Sequence, residues 1–245
     1  MEKLIYIAGK ILCGGYARLF LDFDVLMFSK LPVGPKLFTC NHPTSTDPFY
    51  LSLAIDEPIY MLATSDVYEN PITGYLLRQG GHICVQRNSG KAYHTLNQAV
   101  DYLKAGKNVA IFPEGLLSPE EGDGFGVCEP QSGAARIALA SGVPVIPVGV
   151  FPEKDRIIRR QFEFSRGSVE GRLALQGAYA ITVGSPMYFE GDARYRPLID
   201  KTGQQIISEI RKLSYMSRER MHSQRLHWNS IFSLRPLSSI LRGMR

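Results

Sequence analysis

Several things are scarce in this 245-residue sequence. Cysteine is one. Cys13, Cys40, Cys84 and Cys128 lie far apart, with no C-x-x-C pair. A chain this long buries a core without cross-links, so free thiols in a reducing compartment are the default. Long apolar runs are also missing. Residues 1–20 are rich in leucine and isoleucine, but Lys10 and Arg18 interrupt them. No uncharged run approaches the roughly 18–20 residues of a spanning helix. Lys10 also falls where the apolar centre of a signal peptide would lie, and no A-x-A site follows. Neither G-x-x-x-x-G-K nor G-x-G-x-x-G occurs, which disfavours a nucleotide enzyme. The absence of G-x-S-x-G disfavours a serine hydrolase. There is no internal repeat and no low-complexity segment.

What is present is ordinary globular material, with 44% apolar and 21% charged residues. The length favours one domain with appendages. The net charge is +5, from 28 Lys+Arg against 23 Asp+Glu, but it is unevenly placed. Residues 211–245 carry eight basic side chains and one acid, Glu219, so the rest of the chain is slightly acidic. A nucleic-acid reading would rest on that tail alone, and no nucleic-acid partner is expected.

The two ends read as attachments. Helical spacing places Lys3, Lys10 and Arg18 within about 80° of one another. The rest of the circumference is apolar or small. A wide apolar face with a narrow basic stripe suits a helix lying in a membrane interface. In the tail, Ile206, Ile207, Ile210, Leu213 and Met216 recur at helical spacing. Trp228, Ile231, Phe232, Ile240 and Leu241 then interleave with arginines, which suits anionic lipid head groups. The expected organisation is an interfacial helix in 1–33, a catalytic body in 34–200 and a basic helical tail in 201–245.

Within the body, short runs of β-formers alternate with helix-like segments. The runs are Lys36–Cys40, Ile59–Leu62, His82–Gln86, Val109–Phe112, Val143–Phe151 and Ala178–Val183. Lys91–Lys104 places Ala92, Leu96, Ala99 and Leu103 on one helical face, between a Ser89 cap and Gly106. Gly133–Ser141 is a second helix, ended by Gly142. This alternation predicts an α/β layered domain with a mixed, largely parallel sheet flanked by helices. Pro144 and Pro147 point to an edge or irregular strand at 143–148. Leu116–Gln131 is a long loop of the kind that forms lids or binding segments.

Four short blocks carry chemistry. Asn41-His42-Pro43-Thr44-Ser45-Thr46-Asp47 follows a strand. On a regular helix His42 and Asp47 would lie about 140° apart, but a proline-bounded turn can join them. Asp47 would then bond one imidazole nitrogen and leave the other as a base. Gly81 to Arg87 ends a strand, and Asn88-Ser89-Gly90-Lys91 opens a helix. Arg87 and Lys91 with free helix N–H groups suit a phosphate. Phe112-Pro113-Glu114-Gly115 places an acid at the carboxyl end of a strand, where α/β ligands bind. Val143-Pro144-Val145-Ile146-Pro147-Val148 is the fourth. His42, His82 and Cys84 lack zinc-ligand spacing, and no metal is expected.

Together and in this order the blocks resemble the glycerolipid, or lysophosphatidic acid, acyltransferase family. Gly133-Ala134-Ala135-Arg136 also resembles the helix before that family's fourth block. The resemblance covers about residues 34–185. It implies that His42 is the general base, that Asp47 orients it, and that the substrate hydroxyl is the nucleophile. It implies that Arg87 holds the acceptor phosphate, with Lys91 in support, and that Glu114 and Gly115 complete the acceptor site. The donor would be acyl-CoA or acyl carrier protein, with no other cofactor. The acceptor would be a lysophospholipid or glycerol phosphate, and the partners membrane lipids on the cytoplasmic face, where the enzyme would sit peripherally. Leu116, Leu117, Pro130 and Gln131 stand where many members carry basic or polar residues, which opens a less charged head group. A thioesterase using the same pair, or a non-catalytic lipid-binding protein, are the alternatives.

Overall fold

The computed structural model describes residues 2–86, 92–165 and 167–225. Arg87, Lys91, the Ser89 cap and the aromatic end of the tail from Trp228 onward lie outside those residues.

Eleven strands and seven helices succeed one another along the described chain. They are α1 (Glu2–Phe20), β1 (Leu21–Met27), β2 (Leu37–Cys40), α2 (Asp47–Ala54), β3 (Ile59–Thr64), α3 (Ser65–Glu69), α4 (Pro71–Gln79) and β4 (Ile83–Val85). Then come α5 (Ala92–Lys104), β5 (Asn108–Ile111), β6 (Glu120–Glu121), β7 (Gly124–Phe125), α6 (Ser132–Ser141) and β8 (Val145–Pro152). The chain continues with β9 (Ile157–Phe164), β10 (Gly167–Ala174), β11 (Gly177–Val183) and α7 (Arg196–Arg225). Seven strands form one sheet in the order β1-β11-β8-β2-β5-β3-β4. From β8 to β4 all neighbours are parallel, while β11 runs antiparallel to β8 and parallel to β1. The sheet is therefore mixed and largely parallel, as the alternation of elements predicts.

Side chains alternate across the sheet, so Leu37 and Phe38 belong to different cores. One core contains Phe38 and Cys40 with Tyr50 and Leu51 of α2 and Ala17 of α1. The other contains Leu37 with Val100 of α5, Ile137 of α6 and Ile206, Ile207 and Ile210 of α7. This three-layer arrangement buries both faces of the central strands.

β8 decides between the two sequence expectations, an edge or an irregular strand, in favour of the second. It is an interior strand, buried along its whole length, and not an edge. The prolines are tolerated because the ladder is irregular beside them. Val148 pairs with Val183, but Val145 pairs with Met187, so the register slips by one residue around Pro147. The Pro147 carbonyl still accepts from Gly184 N–H at 2.9 Å. The missing proline N–H thus falls at a bulge, where its loss costs least.

The two ends are also more integrated than the divisions at 33/34 and 200/201 suggest. β1 is part of the sheet, and α7 packs along β8 and β11. A Cβ at Gly149 would lie 2.0 Å from Ser214 N, so only glycine lets the helix backbone come this close. Among the basic residues of the described tail, Arg211 meets Glu129, Arg218 meets Asp123 and Arg220 meets Asp24. These three charges are paired with acids of the body. α1 is turned in a corresponding way. Lys10 points inward, donating to Ile55 O at 2.9 Å and Asp56 at 3.2 Å. The outward side presents Ile11 (62% exposed), Leu12 (73%), Leu19 (77%) and Phe20 (56%). No described helix is long and apolar enough to cross a membrane.

Candidate active site

The site forms where β2 and β5 end, at the carboxyl edge of the parallel strands. The chain leaves β2 for β3, skipping β5, and later places β8 on the other side, which makes this a switch point of the kind where α/β sheets bind ligands. Asn41 starts the departure. Its buried amide takes the place of a strand residue, donating to Val150 O at 2.9 Å and accepting from Val150 N–H at 2.7 Å. It also donates to Ser214 Oγ of α7 at 3.3 Å. With β8 satisfied by a side chain, the main chain is free to turn away from the sheet.

The turn that follows is built around one carboxylate. Asp47, at the start of α2, is fully buried. Its Oδ2 accepts from Thr44 N–H at 2.8 Å and lies 2.9 Å from His42 Nδ1. Its Oδ1 accepts from the Thr44 hydroxyl and from the Tyr179 hydroxyl at 2.6 Å. An ionised carboxylate only accepts, so the His42 proton sits on Nδ1 and Nε2 keeps its lone pair. The His42 side chain is 20% exposed and its ring stacks on Phe112, with centroids 4.1 Å apart.

A second carboxylate holds the main chain of the same residue. Glu114 is 1% exposed and follows β5. Its Oε1 accepts from His42 N–H at 2.9 Å and from the Ser118 hydroxyl at 2.7 Å. Its Oε2 accepts from Cys128 N–H at 2.7 Å. Ser118 N–H returns a bond to His42 O at 2.8 Å. Gly115 makes the bend between them, at φ +71°, a region that favours glycine. The first and third sequence blocks are thus one unit. Phe112 supports the ring, while Glu114 and Ser118 grip the backbone beneath it. Burial, followed by the charges of Asp47 and Glu114, pushes the Cys40 thiol well above its usual range.

The wall opposite comes from the β9–β10 hairpin and β11. Ser45 N–H donates to Arg172 O at 2.7 Å, and Ala174 N–H donates to Thr46 Oγ1 at 3.2 Å. Arg172 also donates to Ser118 O at 2.6 Å, joining this wall to the Glu114 loop. At the hairpin tip, Ser165 N–H donates to Glu69 of α3 at 2.8 Å.

The structure therefore brings together His42, Asp47, Glu114 and Gly115. Arg87 and Lys91 lie outside the described residues. Sequence reasoning gave no role to Asn41, Thr44, Ser118, Arg172 or Tyr179. Asn41, Thr44 and Ser118 stand inside or beside the blocks and are visible as polar residues next to the candidates. Tyr179 has no local signal, because its partner is 132 residues away. Among the described residues no group of three or more His, Cys, Asp or Glu side chains is placed to hold a metal ion.

Comparisons with known proteins bear on the family and the fold. The family model described as Acyltransferase matches residues 25–151. The chain is 30% identical over 145 residues to a lyso-ornithine lipid O-acyltransferase of Pseudomonas aeruginosa, covering 59% of this chain and 54% of that protein. It is 29% identical over 126 residues to the 1-acyl-sn-glycerol-3-phosphate acyltransferase of Escherichia coli, covering 51% and 50%. It thus spans about half the length of these relatives. The crystal structure of the 1-acyl-sn-glycerophosphate (LPA) acyltransferase PlsC of Thermotoga maritima has a similar fold. The TM-score is 0.59 at 18% identity, over 86% of this chain and 79% of that one.

Proposed function

The chain belongs to the Acyltransferase family, and on that premise we propose that it transfers a fatty acyl group from an acyl thioester to the hydroxyl of a lysophospholipid or glycerol phosphate. One observation carries the reading. His42 has its Nδ1 bonded to a buried carboxylate, and the ring is partly open to solvent. Nε2 then takes the proton of the acceptor hydroxyl as its oxygen attacks the thioester carbonyl carbon. The C–O bond forms, the C–S bond breaks, and the proton passes from the imidazolium to the departing thiolate. Asp47 holds the ring and offsets the imidazolium charge during transfer. The acyl-enzyme of a serine hydrolase is not needed, because the attacking oxygen belongs to the substrate.

The acceptor is a lysolipid in this reading. The relatives' names include both a lyso-ornithine lipid and an acylglycerol phosphate, so head group is the open variable. Arg87, two residues past β4 in sequence, is the proposed contact to an acceptor phosphate, with Lys91 in support. Leu116, Leu117, Pro130 and Gln131 bring no positive charge to that end of the sheet. The donor is acyl-CoA or acyl carrier protein. The test is purified protein with labelled donors and a panel of acceptors, with His42→Ala alongside. Transfer to a lysolipid is expected, and the variant should lose about 10²–10⁴ in turnover. Near-wild-type turnover in the variant would sink the mechanism.

We also place the enzyme peripherally on the cytoplasmic face of a membrane, attached through the outward side of α1. That side carries Ile11, Leu12, Leu19 and Phe20 beside an exposed Arg18, while Lys10 is engaged by the body. Leu12→Asp with Leu19→Asp should abolish co-flotation with liposomes while leaving the sheet folded. Unchanged flotation would refute this attachment.

A further inference from the structure

Four donors converge on Asp47, and three of them come from the turn itself: His42 Nδ1, Thr44 N–H and the Thr44 hydroxyl. The fourth comes from the far side of the molecule. Tyr179, on β11, is completely buried and donates its hydroxyl to Asp47 Oδ1 at 2.6 Å. Its ring is fixed from two directions, stacked on Phe23 of β1 with centroids 6.0 Å apart and met edge-on by Tyr50 of α2 at 4.6 Å. Residue 179 lies beyond the segment matched by the family model, which ends at 151.

We propose that Tyr179 is a positioning residue for acyl transfer, which holds the Asp47 carboxylate in the plane that serves His42 and draws charge from it through Oδ1. This rests on the reading of His42 as general base. The physical argument has two parts. Thr44 belongs to the turn, which β8 and the hairpin hold, so its bonds fix the carboxylate only relative to that turn. Tyr179 ties the carboxylate to the sheet, an independent and rigid frame. A hydrogen bond to one carboxylate oxygen also reduces the charge felt at the other, and thereby tempers how strongly Asp47 favours the imidazolium. A base that is too readily protonated is out of action at neutral pH.

The phenol suits the task. Burial, then the charge of Asp47, holds its ionisation well above the ordinary value near 10, so it remains a donor. The other titratable groups facing the pair are Cys40 from β2, Tyr50 from α2 and Glu114 from the loop after β5. Arg172 of β10 approaches through Ser118. Tyr179 and Thr44 are the donors to Oδ1.

The experiment combines steady-state kinetics with an NMR titration of the His42 imidazole. Tyr179→Phe keeps the ring and removes the hydroxyl. The expected result is a fall in kcat of about tenfold, the scale of one hydrogen bond to a charged group, with both KM values within about twofold. The His42 titration should move to higher pH, because Asp47 regains charge at Oδ2. The second variant carries 3-fluorotyrosine at 179, a stronger donor on an almost unchanged ring, and should move the titration to lower pH. A purely structural tyrosine would alter thermal stability and leave the His42 titration in place. That outcome in both proteins overturns the proposal, and if Tyr179→Phe fails to fold, the fluorinated protein decides alone. The titration needs no substrate. Its result is thus separate from the His42→Ala test, whose retained activity would overturn the general-base reading itself.

Discussion

Asp47 and Glu114 make an instructive pair. Both carboxylates are buried, both accept at least three hydrogen bonds, and both act on His42. Their partners differ. Asp47 addresses the imidazole, and two of its other donors are hydroxyls. Glu114 addresses the backbone, and two of its three donors are main-chain N–H groups. Hydroxyls can rotate and exchange donor for acceptor, whereas main-chain N–H groups cannot. One residue is thus held twice, by an adaptable clamp on its ring and a fixed one on its chain. Charge matters for the first and geometry for the second.

Replacing each acid by its amide separates these roles. The largest effect is expected for Asp47→Asn. The amide oxygen takes the place of Oδ2, and its NH2 faces the Thr44 and Tyr179 hydroxyls, which turn to accept. Stability should fall by about 1 kcal/mol, since the hydrogen bonds to the side chain are remade but the turned Tyr179 hydroxyl loses its own acceptor. Turnover should fall by about 10²–10⁴, because no charge remains to offset the imidazolium. A stable but near-fully active variant would remove Asp47 from the mechanism.

Glu114→Gln should show the opposite profile. With its NH2 at the Oε2 position the amide meets Cys128 N–H, which cannot turn, and with its NH2 at the Oε1 position it leaves His42 N–H only the longer bond to Ser118 Oγ at 3.1 Å. Either way a hydrogen bond to a buried carboxylate is lost, at a cost of about 1–3 kcal/mol. Thermal midpoint should fall by about 2–4 °C per kcal/mol for a chain of this size. The remaining activity at low temperature should exceed that of Asp47→Asn. If Glu114→Gln were as stable as the parent and as inactive as Asp47→Asn, the division between the two acids would fail.

The smallest effect lies on the surface. Glu120 is held below its ordinary value near 4.5, first by its hydrogen bond to Arg159 and further by Lys154 and Arg172. A depressed carboxylate contributes stability above its unfolded value and loses it as pH falls through the lowered folded value. The acid limb of a denaturation profile should therefore flatten slightly in Glu120→Gln below about pH 4.5. The group is partly exposed, so the contribution is less than about 1 kcal/mol. Chemical denaturation at pH 7 and pH 4 reads it directly.

Legibility in the sequence followed burial. Strands β2, β3, β4, β5, β8 and β11 are interior or covered, and each shows as a run of β-formers. The β9–β10 hairpin stands largely exposed, so residues such as Arg159, Arg160, Glu163 and Glu170 show no apolar period. β1 was hidden by its place in the apolar N-terminal stretch, where Asp22 and Asp24 alternate with Phe23 and Val25. Pro144 and Pro147 signal an irregular strand, but whether β8 lies at an edge or beside a bulge depends on a partner strand that the local sequence does not reveal. The same holds at the site. His42, Asp47 and Glu114 stand out as polar residues just after strands, a local signal. Tyr179 looks like any tyrosine in an apolar strand until the fold carries it to Asp47.

Asn41 has a consequence for how this protein comes to life. Its amide needs Val150 and Ser214, and the turn it initiates needs Ser45 and Thr46 to find Arg172 and Ala174. All of these partners are made more than a hundred residues later. During synthesis the chain emerges from its N-terminus, so the segment 41–47 is present before these distant partners exist. Such long-range contacts form slowly. The geometry of the turn thus depends on segments made much later, and a chain without residues 150–214 carries His42 and Asp47 without these supports.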